Sequence, residues 1–159
     1  MVQGFIRLIL LVCLAGLAAC ASRTPEVVVP MEMPPGDPLR GSAAESLWQQ
    51  AVLARENNQL AAAGRYLERA LYMQPESSWL YRELAELRLR EGDPQSAEVM
   101  AQRALRLAPR RQAYQAALWH LVATARMRQG DEAGAERARR EAEMLVRRHP
   151  QGRSNLPHN

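Results

Sequence analysis

LYRELAELRLREGDPQSAEVMAQRALRLAP, from Leu80 to Pro109, is the stretch on which the fold turns. Tyr81, Leu84, Ala85 and Arg88 follow the i, i+3, i+4, i+7 order of one helical face, and only Arg88 among them is polar. Gly92 ends that helix. Asp93 can accept hydrogen bonds from the free amides of the next helix, and Pro94 takes its first position, where a missing N–H costs nothing. Ala85 and Ala97 are small because the two helices cross closely there; larger side chains would force them apart. The stretch therefore predicts a helical hairpin. Its pattern occurs 34 residues earlier as well: Asn58-Gln59, Ala63, Leu67, Ala70, Leu71 and Pro75 precede Gly92-Asp93, Ala97, Ala101, Ala104, Leu105 and Pro109.

That period, with small residues at fixed places and a closing proline, resembles the tetratricopeptide repeat, whose unit is two antiparallel helices. A third copy departs from it, since Gly130-Asp131 follows Gly92-Asp93 by 38 residues, as if one helical turn had been added after Pro109. The fifth helix is expected over about Gln112 to Arg128, with Trp119, Val122 and Ala123 in the core. In the sixth, Arg139 and Glu143 stand where earlier copies are apolar, leaving Ala135, Ala138, Ala142, Leu145 and Val146 as the buried side. Its outer face offers Glu136 to Arg140 and Glu143 to Arg147, the pattern of a capping helix. The resemblance implies an all-α fold: a short right-handed solenoid of about three hairpins, residues 44–77, 78–111 and 112–149, with a polar C-terminal cap. Ser42 and Glu45 have capping-box spacing, which places the start of the folded domain at 42, with its end at 149 and a flexible tail over 150–159.

Upstream, Arg7 precedes an apolar run, Leu8 to Gly16, that leads into Leu17-Ala18-Ala19-Cys20. This order resembles a bacterial lipoprotein signal over residues 1–19 with its lipobox, and Leu8 to Ala21 is too short to cross hydrocarbon, which takes about 20 residues. The resemblance implies that Cys20 becomes the acylated amino terminus and, because Ala21 is not aspartate, that the protein is held on the periplasmic face of the outer membrane. Each buried methylene of an acyl chain contributes about 0.8 kcal/mol. Cys13 leaves with the signal, so no thiol remains for a disulfide, metal site or nucleophile. Pro25, Pro30, Pro34, Pro35 and Pro38 with Gly36 and Gly41 make residues 20–41 read as an extended tether of at most about 70 Å, taking about 3.1 Å per residue.

All 21 basic residues are arginine. Residues 20–98 carry 8 arginines against 12 acids and residues 99–159 carry 12 against 5, so the second half is strongly positive. Placement outside the cytosol removes the nucleic-acid reading of that lobe, and arginines on helix faces are chiefly a solvated surface. His120, His149 and His158 are scattered, and no paired carboxylates, metal-ligand spacing, nucleophile elbow or phosphate loop occurs. The expectation is a binding protein rather than an enzyme, with no cofactor and no metal.

In this family the inner wall of the stack is lined by the first helix of each pair. Carried onto this chain, the partner-binding groove comprises Trp48, Val52 and Arg55 from the first copy, Trp79, Arg82, Glu86 and Arg90 from the second, and His120 and Arg128 from the third. A tryptophan on a groove buries large area at small entropic cost, and a neighbouring arginine can take a carboxylate in two hydrogen bonds. Trp48 also fits the repeat's core tryptophan position if the first helix shifts by one residue. Trp79 can equally seal the first loop, and Arg82, Glu86 and Arg90 can be an exposed ladder.

Lipobox, proline-rich tether and one compact repeat domain together resemble the LpoP-type lipoproteins that activate class A penicillin-binding proteins. That resemblance implies a lipid-anchored periplasmic module whose partner is such a peptidoglycan synthase. The alternatives are a type IV pilus or secretin assembly lipoprotein, and a structural spacer between membrane and wall.

Overall fold

The computed structural model describes residues 31–147. The expected signal, Cys20, the first part of the tether and the tail from 148 onward lie outside the described residues. Among the described residues six helices follow one another in sequence: α1 Glu45–Glu56, α2 Leu60–Met73, α3 Ser78–Glu91, α4 Pro94–Leu107, α5 Gln112–Arg128 and α6 Glu132–Arg147. Each packs on the next, and α3 also touches α5, so the first helices of successive pairs are neighbours. The described residues form an all-α stack of three tetratricopeptide-type hairpins.

Small residues set the crossings. Ala51 and Ala54 of α1, Ala63 and Ala70 of α2, Ala85 of α3 and Ala97, Ala101 and Ala104 of α4 are all buried, with Leu67, Leu80, Leu84 and Leu87 filling between them. The second pair is built as its sequence predicts. Gly92 takes a left-handed conformation at φ 81°, Asp93 accepts from the Ser96 amide at 3.0 Å, and Pro94 opens α4. Gly130 repeats this at φ 83°, with Asp131 accepting from the Gly134 amide at 2.8 Å. In the first pair the left-handed residue is Asn58, at φ 57°.

The added turn is real: α5 has 17 residues where α3 and α4 have 14. Val122 and Ala123 are in the core as expected, while Trp119 is only half-buried. Ala135, Ala138 and Ala142 of α6 are buried, but Val146 is 58% exposed and lies outside the core. Glu143 pairs with Arg147 at 3.0 Å, whereas Glu136 takes Arg139, one place nearer than the expected Arg140.

Two features differ at the amino-terminal end. Ser42 does not cap α1 with its side chain: its hydroxyl donates to the Leu39 carbonyl at 2.7 Å, and Glu45 accepts from the Gly41 amide at 2.7 Å rather than from that of Ser42, so neither half of the expected box forms. More consequentially, residues 31–41, expected as the far end of an extended tether, are folded onto the repeats. Leu39 is fully buried, and Met33, Pro34 and Asp37 are buried with it. The reason is one carboxylate: Asp37 accepts from the Ser77 hydroxyl at 2.6 Å, the Ser78 hydroxyl at 3.1 Å and the Trp79 amide at 3.0 Å. These are groups at the amino-terminal end of α3, where free amides and the helix dipole favour an anion.

Candidate functional site

The first helices α1 and α3 bring five of the nine expected groove residues into one cluster. Arg55 of α1 reaches Glu83 of α3 at 2.8 Å and Glu86 at 3.7 Å. Arg82 holds the other Glu83 oxygen at 2.9 Å and also pairs with Glu86 one turn on. The Arg82 guanidinium lies over the Trp79 ring, 4.7 Å from its centroid, and Trp48 meets Trp79 edge-on at 6.0 Å. On its far side Trp79 stacks on Tyr114 of α5, with centroids 6.2 Å apart. Three aromatic rings therefore run in file across all three hairpins.

Trp79 is 3% exposed and belongs to the core, not to an open groove. The sequence left it either on the groove or sealing the first loop; residues 31–41 fold against its helix start, with Met33 and Leu39 in the same core. Trp48 is half-buried and packs against the same core, so it combines the two positions open to it. Neither indole N–H meets an acceptor among the described residues. Val52 and Arg55 are half-buried, and Arg90 and His120 are exposed. Arg128 is exposed, yet its guanidinium donates to the Leu89 carbonyl at 2.6 Å, clasping the ends of α5 and α3 together. The ladder Arg82, Glu86, Arg90 is broken at its last rung, because Glu86 turns toward Arg55 instead.

Glu83 is the residue that sequence reasoning missed. It is 3% exposed with both oxygens held by arginines, an arrangement in which a buried charge is paired and hydrogen-bonded. Asp37 was missed as well: Gly36-Asp37-Pro38 repeats the letters of Gly92-Asp93-Pro94, but turns rather than a helix follow Pro38, and the carboxylate serves the start of α3 instead. Burial holds the Glu86 carboxyl above the ordinary carboxylate range, against the attraction of Arg82. Burial likewise raises Tyr114, partly offset by its hydrogen bond with Ser78, so the phenol stays protonated. The wall is thus largely self-neutralised. Such a surface can position and recognise.

A fold of three stacked hairpins with small residues at the crossings defines a tetratricopeptide-repeat protein. The model of that family, the tetratricopeptide repeat, matches residues 54–121. The globular C-terminal domain of P. aeruginosa LpoP is 39% identical, with a TM-score of 0.61, and the match covers 63% of this chain and 94% of that one. The chain belongs to the tetratricopeptide-repeat family and is LpoP-like. None of the curated proteins matches it.

Proposed function

We propose that this protein is a lipid-anchored periplasmic module that docks on a class A penicillin-binding protein and activates it. The observation that carries the reading is the likeness to the LpoP domain at 39% identity over nearly all of that domain. The lipobox ending at Cys20 supports the outer-membrane anchor, and the described residues contain no helix long and apolar enough to cross a membrane. Activation works through binding alone: the domain shifts the synthase toward its active state only by the difference between its affinities for the active and inactive states.

The test is glycan polymerisation by the purified synthase, with and without soluble protein beginning at Met31. Stimulation is expected, together with β-lactam sensitivity of cells lacking the gene. An unchanged rate, with lost surface motility on deletion, would replace this reading by the pilus-assembly one.

A further inference from the structure

The inner wall spends its charges on itself; a different face does not. Between α4 and α6, with α5 as its floor, lies an open cleft of about 410 Å³. That is within the range of roughly 300–1,000 Å³ typical of ligand pockets. Its apolar surface comes from Leu105, the half-buried Trp119 and Leu145, one from each helix. Arg106 stands exposed on the α4 lip, and among the described residues no carboxylate pairs with it. Gln115 lines the cleft without a side-chain hydrogen bond among the described residues, whereas Arg126 is already held by Glu98 at 2.7 Å.

The preceding pair shows why the cleft differs. Counting back 38 residues from Gly130-Asp131 to Gly92-Asp93, Trp119 corresponds to Tyr81 and Glu141 to Arg103. There the arginine covers the ring, with Arg103 5.7 Å from the Tyr81 centroid. In the last pair the covering cation is replaced by Glu141 on the α6 lip, and the Trp119 ring loses that partner while Arg106 remains on the other lip.

We infer that this cleft is a docking site for an acidic segment of a partner protein, one apolar side chain entering against Trp119 and a carboxylate meeting Arg106. Charge complementarity selects the occupant: with Arg126 paired to Glu98, Arg106 is the cation left over at the cleft, in a half of the chain (residues 99–159) that carries 12 arginines against 5 acids, so a segment bringing a carboxylate to the α4 lip is favoured over a basic one. A half-buried aromatic beside an arginine that no carboxylate holds among the described residues is also the composition in which binding energy concentrates. The inference deepens the proposed function, since it says where a protein partner sits, but does not depend on which protein that is.

A photo-activatable benzophenone amino acid in place of Gln115, in the full-length protein in its own cells, tests it. The expected result is a light-dependent adduct whose partner peptide, mapped by mass spectrometry, bears several Asp or Glu residues and an apolar one. Arg106→Glu should lower the adduct yield roughly tenfold or more, the scale of one lost charge-assisted hydrogen bond, and Arg106→Lys should retain most of it. Arg106 is exposed, so Arg106→Lys should leave the thermal unfolding curve unchanged, and Arg106→Glu, which puts an anion in the last turn of α4, should lower its midpoint only slightly. No adduct at position 115, an adduct to glycan or lipid, or a basic partner peptide would overturn the inference. An acidic segment from a protein other than the synthase would leave it standing and overturn the proposed function. Stimulation of the synthase without an adduct in the cleft would do the reverse.

Discussion

Glu83 and Trp79 are one residue type that water prefers and one that it does not, yet both are 3% exposed on the same helix. Trp79→Ala empties a site enclosed by Trp48, Tyr114 and Arg82, and should cost about 3–5 kcal/mol of unfolding free energy in a urea titration. A loss below about 1 kcal/mol would show that the ring is not core. Glu86 gives a pH signature. Its folded-state carboxyl sits above the unfolded value of 4.5, so the fold favours its protonated form. Its contribution to stability is complete below 4.5 and is lost as pH rises through the folded value. Glu86→Gln should therefore gain stability relative to the parent between pH 4.5 and neutrality, read as diverging urea midpoints; converging midpoints would reverse the sign.

Helix order and hairpin pairing were legible because they rest on local rules: small residues at the crossing, a left-handed residue, a capping carboxylate and a proline at the helix start. Where the first pair breaks the rule, the cost is visible. Asn58 stands in the left-handed place that Gly92 and Gly130 fill in the other pairs. Asn58→Gly should raise stability by a few tenths of a kcal/mol to about 1 kcal/mol, and Asn58→Ala should lower it, measured by thermal unfolding. The groove was less legible. A side chain's place on the inner face follows from its helix position, but whether that face is open depends on what crosses it, and here residues 31–41 cross at Trp79 from about 40 positions away in the chain. No periodicity within α3 encodes that covering. Burial of Glu83 was hidden for the same reason, because its two arginines come partly from another helix.

For the molecule as a whole, the folded domain begins where the proline-rich segment meets Asp37, not at Ser42. Protein beginning at Ser42 loses the burial of Met33 and Leu39, worth about 1.5–3 kcal/mol each, and leaves the Ser77 and Ser78 hydroxyls without their acceptor. It should unfold at clearly lower urea than protein beginning at Met31, by at least about 3 kcal/mol; equal midpoints would make the segment incidental.

The same fold-back changes how the proposed anchor at Cys20 would hold its cargo. Only the 11 residue-to-residue steps from Cys20 to Met31 would remain to span the gap from the lipid, at most about 40 Å even when drawn straight, little more than half the span expected from the proline count. Such a leash would be short, and it would be knotted at the third of the six described helices. Tension between membrane and wall would fall first on the Asp37 carboxylate and the serine pair that grips it, long before it reached α5 and α6.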